Sequence, residues 1–181
     1  MSWEFENAAP VIGTITEGNV WDGERLLYSN IAMNRILSLN PESGLVEIFR
    51  EDTEGTNGLN FDSEGQLFGC SGGGRRIVRF DPNDATVTIA DRLDGRRINS
   101  PNDLAITPSG SIYFSDRVGD VNPDVGINFS AIISAEPQED DTYKTVRRTF
   151  DTSMPNGLLF SNDYKILYVA QSDYRADEKR E

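Results

Sequence analysis

Four short phrases place side-chain oxygens at a recurring spacing. They are Glu17-Gly18-Asn19-Val20, Thr56-Asn57-Gly58-Leu59, Pro101-Asn102-Asp103-Leu104 and Pro155-Asn156-Gly157-Leu158. With Glu17, Asn57, Asn102 and Asn156 taken as equivalent, the steps are 40, 45 and 54 residues. One carboxylate and several amide carbonyls brought to one point would form an oxygen cage for a hard divalent cation, with Ca²⁺, Mg²⁺ or Mn²⁺ favoured by ligand type. The alternative is that Asn-Gly and Asn-Asp are turn dipeptides tolerant of left-handed backbone. A single phrase favours the turn; recurrence at a fixed period, with a Glu in the series, favours the cage.

The rest of the composition narrows the chemistry. The 181 residues contain no histidine, which excludes Ser-His-Asp and Cys-His nucleophile systems and every His-based zinc site. The lone Cys70 can form neither an intramolecular disulfide nor a thiolate cluster. Hydrolytic chemistry here must therefore rest on carboxylates, amides and a metal.

The elements that would position these residues are strands. Each phrase precedes an apolar run: Leu26-Leu27-Tyr28, Leu67-Phe68-Gly69, Ile112-Tyr113-Phe114 and Ile166-Leu167-Tyr168. Turn residues such as Asp22-Gly23, Ser63-Glu64-Gly65, Pro108-Ser109-Gly110 and Ser161-Asn162-Asp163 lie between. The second repeat predicts four strands at 58–61, 66–70, 76–80 and 86–90, with alternation of period two. A repeat of this length filled with short strands predicts an all-β β-propeller, with inner strands starting at one end of a central channel. The chain supplies about three and a half four-stranded blades, at roughly 11–52, 53–93, 98–150 and a partial 151–181, in one domain spanning 1–181. Helix is expected to stay under about a tenth of the chain, against a base rate of about a third. An insertion at 118–130, rich in Gly, Pro, Asn and Asp, reads as a surface loop, either a lid over the channel mouth or an ornament. The glycine-rich 69–76 stretch lacks the Gly-Lys-Ser/Thr ending of a phosphate loop and reads as an inter-strand turn. Trp3 and Trp21 are expected to pack in the core.

Thirty acidic against seventeen basic residues give a net charge of −13, a field that repels phosphate backbones and argues against nucleic acid as a partner. No run of about 18 apolar residues is available to cross a membrane. The acidic N-terminal residues lack the pattern of a secretory signal, so a cytoplasmic location is expected. Oligomeric state is not legible.

The phrases Glu17-Gly18-Asn19-Val20-Trp21, Asn99-Ser100-Pro101-Asn102-Asp103-Leu104, Ile112-Tyr113-Phe114-Ser115-Asp116 and Pro155-Asn156-Gly157-Leu158 together resemble the SMP-30/gluconolactonase family from about Thr14 onward. The resemblance implies a six-bladed propeller with a divalent metal, usually Ca²⁺ or Zn²⁺, in the channel, and hydrolysis of a sugar lactone. It implies Glu17 and Asn156 as metal ligands, Asn102 as an amide contacting metal or substrate, and Arg97 and Asn99 as substrate-contacting residues. Arg97 could instead be a solvated strand-end charge beside Arg96. The family's conserved aspartate, a metal ligand and general base or nucleophile, would fall beyond Glu181, so no catalytic residue is assigned. Asp173 and Asp177 lie too near Asn156 in sequence to replace it. The chain is accordingly expected to be C-terminally truncated and nearly inactive alone. Competing expectations are an esterase or phosphotriesterase on the same metal, a non-catalytic binding module, and an inactive product.

Overall fold

The computed structural model describes residues 3–4, 15–118 and 126–172. The central part of the insertion, residues 119–125, and the 173–181 stretch containing Asp173 and Asp177 lie outside the described residues. Three antiparallel meanders of four strands follow in chain order. The first is β1 (Thr16–Trp21), β2 (Leu26–Asn30), β3 (Arg35–Leu39) and β4 (Val46–Arg50). The second is β5 (Thr56–Phe61), β6 (Leu67–Ser71), β7 (Arg76–Phe80) and β8 (Thr86–Ala90). A small hairpin, β9 (Arg92–Leu93) and β10 (Arg96–Arg97), leads to the third, β11 (Ser100–Ile106), β12 (Ile112–Arg117), β13 (Ala131–Pro137) and β14 (Tyr143–Arg147). A fourth sheet pairs β15 (Pro155–Phe160) with β16 (Leu167–Gln171). Among the described residues the helical structure is a single 3₁₀ turn at Ile31–Met33.

The hairpins between first and second strands share one device. Asp22 Oδ1 accepts the N–H groups of Glu24 and Arg25, and Asp62 Oδ1 those of Glu64 and Gln66. Thr107 Oγ1 and Ser161 Oγ serve Ser111 and Ile166 in the same way. Each short polar side chain satisfies backbone donors that the reversing chain would otherwise leave open. Gly65 and Gly110, at φ +78° and +82°, supply the left-handed residue of two of these turns.

Apolar side chains fill the spaces between sheets. Leu27, Ile36, Leu59, Leu67, Val78 and Phe80 join the first meander to the second. Phe68, Cys70, Ile77, Leu104, Ile112, Phe114, Ile127 and Ile133 join the second to the third. Sheets flanked on both sides bury both faces, so β6 and the first five residues of β13 are buried throughout rather than alternating. The outlying β8 keeps the alternation of a half-exposed strand. Trp21 and Trp3 depart from expectation, being 52% and 82% exposed. Trp21 projects from β1, a strand with no sheet packed on its far side among the described residues. The glycine-rich stretch is, as expected, the turn from β6 to β7.

Candidate metal centre in the channel

The inner strands β1, β5, β11 and β15 each carry the same irregularity. Glu17 pairs with Ser29 and Val20 with Leu27, so two residues face one between them. The same bulge falls between Thr56 and Leu59, between Pro101 and Leu104, and between Pro155 and Leu158. A bulge re-aims the side chains it contains, and its recurrence marks a built feature. The register also corrects the alignment of the phrases by one residue. Gly18, with φ +57°, occupies the place of Asn57, Asn102 and Asn156, while Glu17 corresponds to Thr56, Pro101 and Pro155.

The four bulges lie side by side. Gly18 packs on the Asn57–Gly58 backbone so closely that a Cβ there would overlap the Asn57 carbonyl. Ser29 Oγ bonds to the carbonyl oxygens of both Glu17 and Asn57, at 2.9 and 2.5 Å, tying the first repeat to the second. A Cβ on Gly58 would stand 2.5 Å from Asp103 Oδ1 and 2.8 Å from the Asn102 carbonyl. Asp103 Oδ2 in turn accepts the N–H of Leu158 at 2.9 Å. The sequence-predicted ligands Glu17, Asn102 and Asn156 thus stand on a continuous row of neighbouring inner strands. Glu17 is exposed and the two amides are partly buried. Asn156 Nδ2 donates to Ser172 Oγ at 3.0 Å, which occupies the nitrogen end of that amide.

Two carboxyls that the repeat pattern did not single out belong to this region. Burial pushes the Asp103 carboxyl up; the N–H of Leu158 pulls it back, and the negative charge of Glu17 pushes it further up. Asp116 is fully buried, and its carboxyl is raised to about 7, chiefly by burial. The Asn99 N–H donates to its Oδ2 at 2.8 Å, and the Arg75 charge also works against the rise. The local signal for Asp103 was present: Asn102-Asp103 interrupts a series in which the neighbouring repeats have Asn-Gly. Burial pushes the Cys70 thiol well up, which leaves it a neutral core side chain.

The two residues expected to meet substrate are engaged within the protein. Arg97 Nη2 donates to the Gly74 carbonyl at 2.8 Å, while Arg75 reaches back to the carbonyls of Ile98 and Asn99. Asn99 is 3% exposed, and its Nδ2 donates to the Phe129 carbonyl at 2.9 Å. Together with Arg96 bonding to the Gly126 carbonyl and Ile127 N–H to that of Arg97, this hangs the 126–129 segment on residues 96–99.

The donor set suits a hard cation. Oxygen-rich ligands of mixed charge are what Ca²⁺ and its relatives take. The Glu17 carboxylate adds negative charge near the Asp103 carboxyl and helps to push it up. Among the described residues no three His, Cys, Asp or Glu side chains group as a metal site, so an ion here would depend on the amide oxygens of Asn102 and Asn156.

Successive four-stranded meanders, each offering its first strand to a common inner row, define a β-propeller. The model of the SMP-30/gluconolactonase/LRE-like region matches residues 15–176, and the chain belongs to that family. It is similar to the gluconolactonase of Zymomonas mobilis, 31% identical over 179 residues that cover 87% of this chain and 49% of that protein. A solved gluconolactonase from Xanthomonas campestris superposes with a TM-score of 0.77 at 32% identity, covering 88% of this chain and 55% of its own. Regucalcin of Agrobacterium tumefaciens, described as a calcium-binding protein, shares the fold at 19% identity and a TM-score of 0.63. The chain thus spans about half the length of the relatives it matches. No helix among the described residues is long and apolar enough to cross a membrane.

Proposed function

We propose that the protein is a metal-dependent hydrolase that opens a sugar lactone, with the cation held in the channel by Glu17, Asn102 and Asn156. The observation that supports this reading is the row of inner-strand bulges, which holds Asn102, Asp103 and Asn156 on neighbouring strands, with Glu17 at the edge of the first bulge. An electronegative, partly desolvated line of oxygens is costly unless a cation shares it. The gluconolactonase relatives at 31% and 32% identity supply the substrate class.

Bound there, a divalent ion would act as a Lewis acid toward the lactone carbonyl. The chain's own part is to hold and orient. Glu17 contributes the negative ligand, and the amide oxygens of Asn102 and Asn156 fill neutral positions. The bulges take Asn102 and Asn156 out of the ladder, while Glu17 stays in it, paired with Ser29 at the edge of the first bulge. Arg97 and Asn99 serve the substrate indirectly, by fixing the strand that leads into Asn102 and the base of the 126–129 segment.

The test is hydrolysis of glucono-1,5-lactone by residues 1–181, and by a version extended to six blades with the corresponding part of the Zymomonas relative. Turnover by the extended protein that is lost with a chelator and restored by Ca²⁺, Mn²⁺ or Zn²⁺ is the expected result. Turnover indifferent to the chelator, or no turnover by the extended protein, refutes the proposal.

A further inference from the structure

At the second position of the bulge the four inner strands carry Asn19, Gly58, Asp103 and Gly157. Asp103 alone of these is a carboxylate, and glycines flank it on both neighbouring strands. The room is used. The missing Cβ of Gly58 would lie 2.5 Å from Asp103 Oδ1, and that of Gly157 would lie 3.7 Å from Oδ2. Oδ2 accepts the Leu158 N–H at 2.9 Å across 55 residues of sequence. Asp103 is itself held in place, its own N–H donating to Ser115 Oγ at 3.1 Å on β12. Its carboxylate therefore lies between the second and fourth inner strands, on the third, whose backbone is anchored here to β12.

We propose that Asp103 is a positioning residue, a strut between blades that fixes the strand bearing Asn156 against the strand bearing Asn102. The physical case rests on two points. Leu158 N–H opens toward the neighbouring strand at the edge of a bulge, where ladder pairing is interrupted, so it needs an acceptor from outside its own sheet. The Asp103 side-chain oxygen reaches this N–H at 2.9 Å, and at this separation only a short side chain fits beside glycine. The consequence for the site, a fixed gap between two amide ligands, rests on the cation reading given above. The strut itself does not.

Amide hydrogen exchange in the 181-residue chain tests the strut directly. Asp103→Ala is expected to speed exchange of the Leu158 amide by about tenfold or more, with the amides of Phe114 and Ile133 in the neighbouring sheet unchanged. Asp103→Asn, which keeps an acceptor oxygen at the same reach, should restore protection to within about threefold. Asp103→Glu keeps the charge but lengthens the side chain by one methylene, and it is expected to exchange fast. That variant decides the matter should the alanine variant not fold. Wild-type protection of Leu158 in Asp103→Ala or Asp103→Glu overturns the strut, as does exchange in Asp103→Asn as fast as in the alanine variant. A parallel Ca²⁺ titration separates the two readings. Failure of the six-blade extended protein to bind Ca²⁺ refutes the cation site while exchange still judges the strut. In that extended protein, Asp103→Ala with a fast Leu158 amide and unchanged Ca²⁺ affinity overturns the positioning role; a loss of about tenfold supports it.

Discussion

Asp116 offers a quantitative test of how this fold tolerates a buried charge. Its carboxyl is fully buried on β12 and raised from the ordinary aspartate range to about 7. The groups facing it are Arg75 from the β6–β7 turn, the Asn99 and Ser100 backbone, and the neutral Cys70 thiol. A folded pKa above the unfolded one means that the native state binds the extra proton. Stability from this group is therefore full below about 4, falls as pH rises, and is lost once pH passes about 7. Asp116→Asn keeps an oxygen for the Asn99 N–H but cannot ionise. Between pH 5.5 and 8.5 the wild-type carboxyl crosses roughly 1.5 units of this window, which at about 1.36 kcal/mol per unit is about 2 kcal/mol. Urea unfolding followed by far-ultraviolet circular dichroism at both pH values supplies the measurement. The variant should gain about 2 kcal/mol on wild type between the lower and the higher pH. A stability difference that stays flat with pH, or that moves the other way, refutes the assignment of a raised carboxyl to Asp116.

Other outcomes follow from the same structure. Gly58→Ala drives a methyl into the Asp103 and Asn102 backbone, which cannot yield cheaply, and should cost about 2 kcal/mol or more in urea unfolding. Phe114→Ala empties a fully buried site between the second and third meanders, with an expected loss of about 3–5 kcal/mol by the same assay. Glu17→Gln removes the charged ligand from the proposed cage and should weaken Ca²⁺ binding by about tenfold in calorimetry, with unfolding stability little changed because the side chain is exposed.

Most of the strand framework was legible because it is written locally. β7 and β8 fall at the residues that alternation and turn chemistry indicate, 76–80 and 86–90. β5 begins two residues before the expected start, since Thr56 is buried and bonds to the Thr53 carbonyl, a contact that no alternation rule encodes. The phrases were aligned on their side-chain oxygens, which put Glu17 level with the asparagines. The ladder instead counts backbone pairs, and it puts Gly18 there. Asp103 and Asp116 escaped notice for a related reason. Their partners, Leu158 and Asn99, lie 55 and 17 residues away, and long-range pairing leaves no periodic trace. Arg97 and Asn99 were expected from the resemblance to contact substrate, with a solvated charge as the alternative for Arg97; the bonds of Arg97 to Gly74 and of Asn99 to Phe129 are long-range pairings that the sequence does not display.

The repeated bulge has a consequence for how such a protein can change. Because two residues in each inner strand stand outside the ladder, they can be exchanged without shifting the alternation that seats Leu59, Leu104 and their neighbours in the core. The four repeats already display the exchange: Gly-Asn, Asn-Gly, Asn-Asp and Asn-Gly occupy the same slot. The fold behaves as a rack of dipeptides set side by side, each outside the ladder that seats the core but bounded by its neighbours in the row. New chemistry can be installed one blade at a time at Asn19, Asn57, Asn102 and Asn156, whereas Gly18 and Gly58, where a Cβ would overlap neighbouring atoms, and the Asp103 strut are fixed by their contacts.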